Sequence, residues 1–262
     1  MLVTKVDGDS RRRQPDHLIV EEPMAIELDG VRVTTTMRTP GHDFELACGF
    51  LFSEGMLGGA PVTEVRYCAN GSAVESGFNI VTVSTGGVAP EPQARLALTT
   101  SSCGVCGSAS LDELATRLEP LERDMLAAFD LSLLAGLPQA ALAQQPLFGE
   151  TGSVHAAVAF RPDGEAVCAR EDVGRHNAVD KVVGRLLLDR GLPASGLALF
   201  VSGRASFEIV QKAWAAGFAT VVAVSAPTAL AVATARRAGI TLVGFIREGR
   251  CNIYAPERPS TM

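Results

Sequence analysis

The stretch "LALFVSGRASFEIVQKAWAAGFATVVAVS", residues 197–225, carries the pattern that decides the fold. It begins and ends with short apolar runs, LALFVS and ATVVAVS, which are typical of strands covered on both faces. Between them, residues 207–216 have the apolar spacing of a helix. A strand, a helix and a second strand are the repeating unit of an α/β sheet, so this stretch predicts an α/β layer with a mostly parallel or mixed sheet.

The same alternation extends to both sides of this stretch. ITLVGF (240–245) is a third apolar run, and helices are predicted near residues 177–190 and 229–238. Upstream, VHAAVAF and AVCARE are predicted strands joined by the turn sequence RPDG at 161–164. We therefore expect residues 111–262 to form an α/β core.

The N-terminal part has a different rhythm. AIELDGVRVTTTM (25–37) alternates on both sides of Asp29-Gly30, which predicts a hairpin, and a helix begins near Asp43. Short strand-like runs follow, and they lead us to expect a small β-rich α+β part over residues 17–98. These runs cover residues 62–68, 79–83 and 95–100. Residues 1–16 are expected to be a flexible tail.

Composition limits the function classes. A net charge of −6 argues against a general nucleic-acid binder, which needs clustered positive charge. No apolar run reaches the roughly 18 residues of a membrane span, and no secretion signal is recognisable at the N-terminus. The expectation is a cytoplasmic protein whose six cysteines are reduced.

The stretch TTSSCGVCGSAS (99–110) places Cys103 and Cys106 in a predicted mobile loop, before a helix that begins at Ser110 with Glu113 in a capping box. A structural zinc site needs about four ligands, and there is no second CxxC. The His-x-Glu of zinc deaminases is also missing, so no metal is expected. A redox dithiol would lie at a helix N-terminus, and idle exposed thiols would carry an oxidation liability. These alternatives stay open, but the pattern favours a nucleophilic arm that can carry sulfur.

Two strand ends share one pattern, EDVGRHNAVDKVVG (171–184) and SGRASFEIVQKAW (202–214). In each, a Gly-Arg pair is followed by an acid and a lysine. Glycine lets a ligand approach the backbone and arginine binds phosphate bidentately, so a phosphorylated or nucleotide-bearing ligand is predicted. A structural salt-bridged surface is the alternative. The candidate binding residues are Gly174, Arg175, His176, Ser202, Gly203 and Arg204.

Five blocks together resemble one family. SSCGVCG, EDVGRHNAVDKVVG, SGRASFEIVQKA, RTPGHDFELACGFLFSEG and APTALAVATARRAGITLVGFIREGRCNIY are similar to the formate dehydrogenase accessory sulfurtransferase (FdhD/NarQ) family, over about Glu22 to Tyr254. The resemblance implies a cytidine-deaminase-like three-layer core and a homodimer. It also implies transfer of sulfur from a cysteine desulfurase to the molybdenum cofactor, bis-molybdopterin guanine dinucleotide, bound as substrate on its way to formate dehydrogenase.

The resemblance also implies residue roles. Cys103 would carry the persulfide and Cys106 would resolve or relay it. A guanine-dinucleotide segment would comprise Phe245, Ile246, Arg247, Glu248, Gly249 and Arg250. The phosphate partners by residue type are Arg175, Arg204, Arg247 and Arg250, and the candidates to hydrogen-bond pterin or guanine are His155, His176, Asn177, Asp180 and Ser202.

Two functions of other classes remain open. A chaperone could deliver the molybdenum cofactor without donating sulfur, and it would need the nucleotide site but not the thiols. A deaminase-type enzyme that modifies a nucleotide would require bound zinc.

Overall fold

A computed structural model describes residues 1–91, 116–122, 129–247 and 249–256. The strands in chain order are β1 (Leu2–Asp7), β2 (Ser10–Pro15), β3 (Glu22–Leu28), β4 (Val31–Arg38), β5 (Glu64–Tyr67), β6 (Ile80–Ser84), β7 (His155–Phe160), β8 (Ala166–Asp172), β9 (Ala198–Val201), β10 (Thr220–Ala223), β11 (Thr241–Arg247) and β12 (Arg250–Ala255). The helices are α1 (Asp43–Ser53), α2 (Leu131–Leu142), α3 (Pro146–Thr151), α4 (Arg175–Leu188), α5 (Phe207–Ala216) and α6 (Ala229–Ala238).

The C-terminal part is built on a six-stranded mixed sheet in the order β12-β11-β10-β9-β7-β8. Strands β9, β10 and β11 are parallel, while β7 is antiparallel to both β8 and β9, and β12 is antiparallel to β11. Because of these directions, the carboxyl ends of β8, β9, β10 and β11 meet at one edge of the sheet, together with the start of β7.

Helices cover both faces of this sheet. On one face, α4, α5 and α6 bury a core that includes Val182, Ile209 and Leu242. On the other, Leu134 and Leu137 of α2 pack on residues of β7, β9, β10 and β11. The result is three layers, which confirms the predicted α/β fold class.

The N-terminal part has a four-stranded sheet in the order β4-β3-β6-β5. Helix α1 packs on this sheet, and Leu46 and Leu51 lie in a core with Ile26 and Val81. This is the smaller β-rich part that the sequence predicts. The hairpin prediction at Asp29-Gly30 is confirmed, since β3 and β4 pair across these two residues and both have positive φ, 48° and 85°.

Within residues 1–16, Leu2–Asp7 and Ser10–Pro15 form the antiparallel hairpin β1–β2, while the expected flexibility of this tail stays a prediction. The physical reason is the Gly8-Asp9 connection, in which Gly8 has a φ of 56° and allows a two-residue turn. No helix in the described part of the chain is long and apolar enough to cross a membrane.

Candidate functional site

The two Gly-Arg turns lie side by side at the carboxyl edge of the large sheet. Gly174 and Arg175 begin α4 after β8, and Gly203 follows β9. A Cβ added to Gly203 would lie 3.5 Å from Nδ1 of His155 and 3.8 Å from Cδ of Arg175. The fold thus joins two sequence-distant turns around the first residue of β7.

Ser202 fixes the edge of this site through the backbone. Its hydroxyl accepts a hydrogen bond from the N–H of Ala156 at 2.9 Å, and its own N–H donates to the carbonyl of Ala156 at 3.0 Å. Ser202 therefore fastens the end of β9 to the start of β7, next to His155.

Two arginines lie near His155. Its pKa is lowered, first by burial and then by the nearby charges of Arg175, His176 and Arg204. Cationic groups from two turns at the end of parallel strands are an arrangement suited to an anion such as a phosphate.

His176 is held by a carboxylate that sequence reasoning did not place in the site. Its Nε2 lies 2.8 Å from Oε2 of Glu208 and 3.2 Å from Oγ of Ser206, both at the start of α5. The hydrogen bond with His176 is the largest cause that lowers the pKa of Glu208. The acid repeated after each Gly-Arg pair was the signal in the sequence, although it did not reveal this partner.

A cavity of about 480 Å³ opens beside His155, on the α2 and α3 side of the sheet. Its walls are mostly apolar, and His155 and Ser202 contribute polar atoms at the sheet edge. The lining includes Pro138, Leu142, Phe148, Val154, Phe200 and Val224. A ligand at this edge would therefore meet cationic turns on one side and an apolar wall on the other.

The Phe245–Arg250 segment lies at the same edge of the large sheet, where β11 ends and β12 begins. The N–H of Phe245 donates to the carbonyl of Ser225, and the N–H of Ser225 donates to the carbonyl of Gly203. Phe245 is 42% exposed and has a φ of 52°, an uncommon conformation for a bulky residue. The chain of hydrogen bonds connects this segment to the second Gly-Arg turn.

The residues of this segment have different surroundings. Ile246 is 1% exposed and packs in the core beneath α2, so its side chain belongs to the core rather than to an open site. Arg247 and Arg250 pair across a tight turn in which Gly249 has a φ of 70°. Glu248 lies outside the described residues.

Cys103 and Cys106 also lie outside the described residues, as does the capping box at Ser110 and Glu113. Among the described cysteines, Cys48 and Cys168 are buried, and burial raises the pKa of their thiols to about 12 and about 11. Within the described ranges no group of histidine, cysteine or acidic side chains is arranged to hold a metal ion.

The acid of the first Gly-Arg motif pairs with the lysine of the second, whereas the lysine of the first pairs with Asp172 of its own motif. Asp180 is buried, and its Oδ1 lies 2.9 Å from Nζ of Lys212, while Lys181 contacts Asp172 at 2.7 Å. Asp180 and Lys181 thus have different partners. Asp180 is 1% exposed, so the prediction that it hydrogen-bonds a ligand is wrong. Trp214 is buried in the core.

The sequence of this chain is similar to those of known proteins. The model of the FdhD/NarQ family matches residues 19–260. A protein named sulfur carrier protein FdhD from Streptomyces avermitilis is 49% identical, with 97% of this chain and 93% of that protein covered. One of the same name from Streptomyces coelicolor is 48% identical, with 97% and 92% covered.

A solved structure gives the same result at the level of the fold. The crystal structure of a putative formate dehydrogenase accessory protein from Desulfotalea psychrophila aligns with a TM-score of 0.78 at 26% identity, and covers 98% of this chain and 97% of that one. The family match spans both sheets and the site between the Gly-Arg turns, so this chain belongs to the FdhD/NarQ family.

Proposed function

We propose that this protein carries persulfide sulfur from a cysteine desulfurase to the molybdenum cofactor, bis-molybdopterin guanine dinucleotide, which formate dehydrogenase requires. The names of the relatives support sulfur carriage, and the similarity to a formate dehydrogenase accessory protein supports the link to that enzyme. A cytoplasmic location and a homodimer accompany this proposal.

The observation that carries the proposal is the meeting of both Gly-Arg turns beside one cavity. The arrangement offers Arg175 and Arg204 near His155, and a largely apolar wall beyond it. A ligand with pyrophosphate groups and flat ring systems suits such a site, because arginines bind phosphate and rings bury apolar surface. In this proposal the cofactor is the substrate of the carrier.

The resemblance to the family assigns the carrier role to Cys103, and thiol chemistry disfavours two of the other cysteines. The thiolate is the nucleophile in persulfide exchange, and the raised pKa values of Cys48 and Cys168 disfavour both as thiolates. In the proposed step, the Cys103 thiolate attacks the outer sulfur of the desulfurase persulfide. The S–S bond of that persulfide breaks, a persulfide forms on Cys103, and the desulfurase cysteine leaves as a thiolate.

Cys106 has the resolving role in this proposal. Once the cofactor is bound, the Cys106 thiolate attacks the inner sulfur of the Cys103 persulfide, so that a Cys103–Cys106 disulfide forms and the outer sulfur leaves as hydrosulfide for the molybdenum. A cellular thiol then reduces the disulfide. In this step the two cysteines are oxidised to a disulfide, and the two electrons that they lose reduce the transferred sulfur to hydrosulfide.

The test is the intact mass of the purified protein after incubation with a cysteine desulfurase and cysteine. We expect a gain of one sulfur atom that a reducing agent removes, and we expect Cys103→Ala to lose this gain. Cys68→Ala, at a half-buried cysteine, is the matched control and keeps the gain. Normal sulfur gain by Cys103→Ala would refute the role of Cys103. No gain in the wild type, with the cofactor still bound, would favour a chaperone that delivers the cofactor without sulfur.

A further inference from the structure

Thr39, the residue after strand β4, hydrogen-bonds to the residues of the large sheet that lead into the first Gly-Arg turn. The N–H of Thr39 donates to Oδ2 of Asp172 at 3.1 Å, and the hydroxyl of Thr39 accepts from the N–H of Val173 at 3.0 Å. Oδ1 of Asp172 accepts from the N–H of Gly174 at 2.8 Å. The two N–H groups that lead into α4 are therefore fixed by side chains, one of which comes from the smaller part.

A buried ion pair holds this contact together. Nζ of Lys181 lies 2.7 Å from Oδ2 of Asp172 and donates to the carbonyls of Thr39 at 2.9 Å and Glu171 at 3.2 Å. The side chains of Lys181 and Asp172 are 1% and 0% exposed. Since three acceptors meet the three donors of the ammonium group, the pair is satisfied without water.

Asn177 closes the cluster from the first turn of α4. Its Nδ2 donates to the carbonyl of Met37 at 2.7 Å and to Oδ1 of Asp172 at 3.0 Å. A Cβ added to Gly174 would lie 3.0 Å from this Nδ2. The amide of Asn177 is therefore engaged with the end of β4 and with the turn, instead of facing a ligand.

We infer that Thr39, Asp172, Asn177 and Lys181 are positioning residues that set the Gly174–His176 turn for ligand binding. Gly174 has no side chain to cap α4, and the cluster fixes the backbone direction there instead. The smaller part thereby contributes to binding without touching the ligand. This inference rests on the proposed ligand site at the two Gly-Arg turns.

The test measures the affinity of the full chain for inorganic pyrophosphate by calorimetry. Thr39→Val removes one hydroxyl acceptor at nearly constant side-chain volume. We expect the affinity for pyrophosphate to fall about fivefold, since one hydrogen bond contributes about 1 kcal/mol. Thr39→Ser restores the acceptor and should bind within about twofold of the wild type. Thr63→Val is the matched control, because the exposed hydroxyl of Thr63 donates to Ser84 in the smaller part, away from the turn.

A purely structural role for Thr39 would lower the urea midpoint without changing the affinity measured in the absence of urea. If Thr39→Val does not fold, Asn177→Ala tests the same cluster, since it removes the donor to Met37 and Asp172. Wild-type affinity in either folded variant, or equal weakening in Thr39→Ser, would overturn the inference. Absence of pyrophosphate binding to the wild type would instead refute the ligand site, and the inference with it, while sulfur loading of Cys103 tests the carrier role separately.

Discussion

Gly49 and Gly184 lie against each other where α1 crosses α4. A Cβ on Gly49 would lie 1.8 Å from the carbonyl oxygen of Asp180, and one on Gly184 would lie 1.8 Å from that of Glu45. The two helices therefore touch backbone to backbone, and neither position has space for a methyl group. This crossing joins the smaller part to the core directly below the site.

Replacing Gly184 with alanine should separate these two helices. We expect Gly184→Ala to lower the free energy of unfolding by about 3 kcal/mol, because the added methyl group meets main-chain atoms that cannot rotate away. Urea unfolding followed by circular dichroism measures this change. Gly136→Ala is the matched control within a helix, since nothing lies within 4 Å of its added Cβ, and it should be neutral or slightly stabilising. Equal midpoints for the two variants would contradict the close crossing.

The buried pair of Asp180 and Lys212 gives a pH-dependent prediction. Lys212→Met leaves the Asp180 carboxylate in the core without its cation, which should cost about 3–5 kcal/mol near neutral pH. Burial already raises the pKa of Asp180 to about 6, and the loss of Lys212 raises it further. The pKa of Asp180 is higher in the folded than in the unfolded protein, so the folded state binds the proton more tightly. The contribution of Asp180 to stability is therefore full below its ordinary pKa and is lost as pH rises through its folded pKa.

The deficit of Lys212→Met should therefore shrink as pH falls from 8 to 5, because protonation neutralises Asp180. Urea unfolding at several pH values in this range measures it. The double variant Asp180→Asn/Lys212→Met is the control, and it should recover part of the stability at pH 8. A deficit that does not change with pH would indicate lost packing of the lysine stem instead.

His155 gives a prediction for ligand binding. Its pKa is lowered in the free protein by burial and by Arg175, so it is neutral at pH 7.5. A bound anion favours the protonated ring, so binding takes up a proton and strengthens as pH falls towards 6. Between pH 7.5 and pH 6, the factor by which the affinity for pyrophosphate increases should be about threefold larger in the wild type than in His155→Gln.

Calorimetry in buffers of different ionisation enthalpy measures the proton uptake directly. Comparison with His155→Gln removes the titration of pyrophosphate itself. An identical pH dependence in both proteins would place the anion away from His155.

The buried cysteines should resist alkylation. At pH 8, a thiol with a pKa of about 12 is a thiolate in on the order of one molecule in ten thousand, so Cys48 should react with iodoacetamide only after unfolding. Cys168, with a pKa raised to about 11, should behave alike. Peptide mass spectrometry with and without urea checks this, and the half-buried Cys68 and Cys251 serve as internal comparison. Rapid labelling of Cys48 in the folded protein would contradict its burial.

The elements that the sequence predicts well are those with one strong local signal. The helix over residues 207–216 has the predicted bounds, because its apolar face recurs at helical spacing and Gly217 ends it with a φ of 79°. The apolar runs that become β9 and β10 are equally clear, since strands buried on both faces have few polar positions.

Helix α2 is not predicted because its local signals conflict. It contains Gly136 and Pro138, both unfavourable inside a helix, yet it forms because Asp130 caps its N-terminus and Leu134 and Leu137 are buried on the sheet. Tertiary packing here overrides propensity.

The contacts between side chains of the site could not be predicted from the sequence, for a different reason. The acids and lysines are visible in each motif, but Asp180 pairs with Lys212 of the other motif, and Asp172 binds Thr39 of the smaller part. Contacts between elements far apart in the chain follow from topology, which no local pattern encodes. The grouping of the Gly-Arg turns is predictable, since parallel strands end at a common edge.

Trp214, the only tryptophan, donates its indole N–H to the carbonyl of Glu119 at 2.8 Å. Glu119 belongs to the described residues 116–122, which follow the CxxC segment in the sequence and also bond to α6 through Leu121 and Ala238. Intrinsic fluorescence of this protein therefore has a single tryptophan source, which is hydrogen-bonded to the described residues that follow the two candidate cysteines in the sequence. A shift in emission during sulfur loading would report, without any added label, that the surroundings of Trp214 have changed.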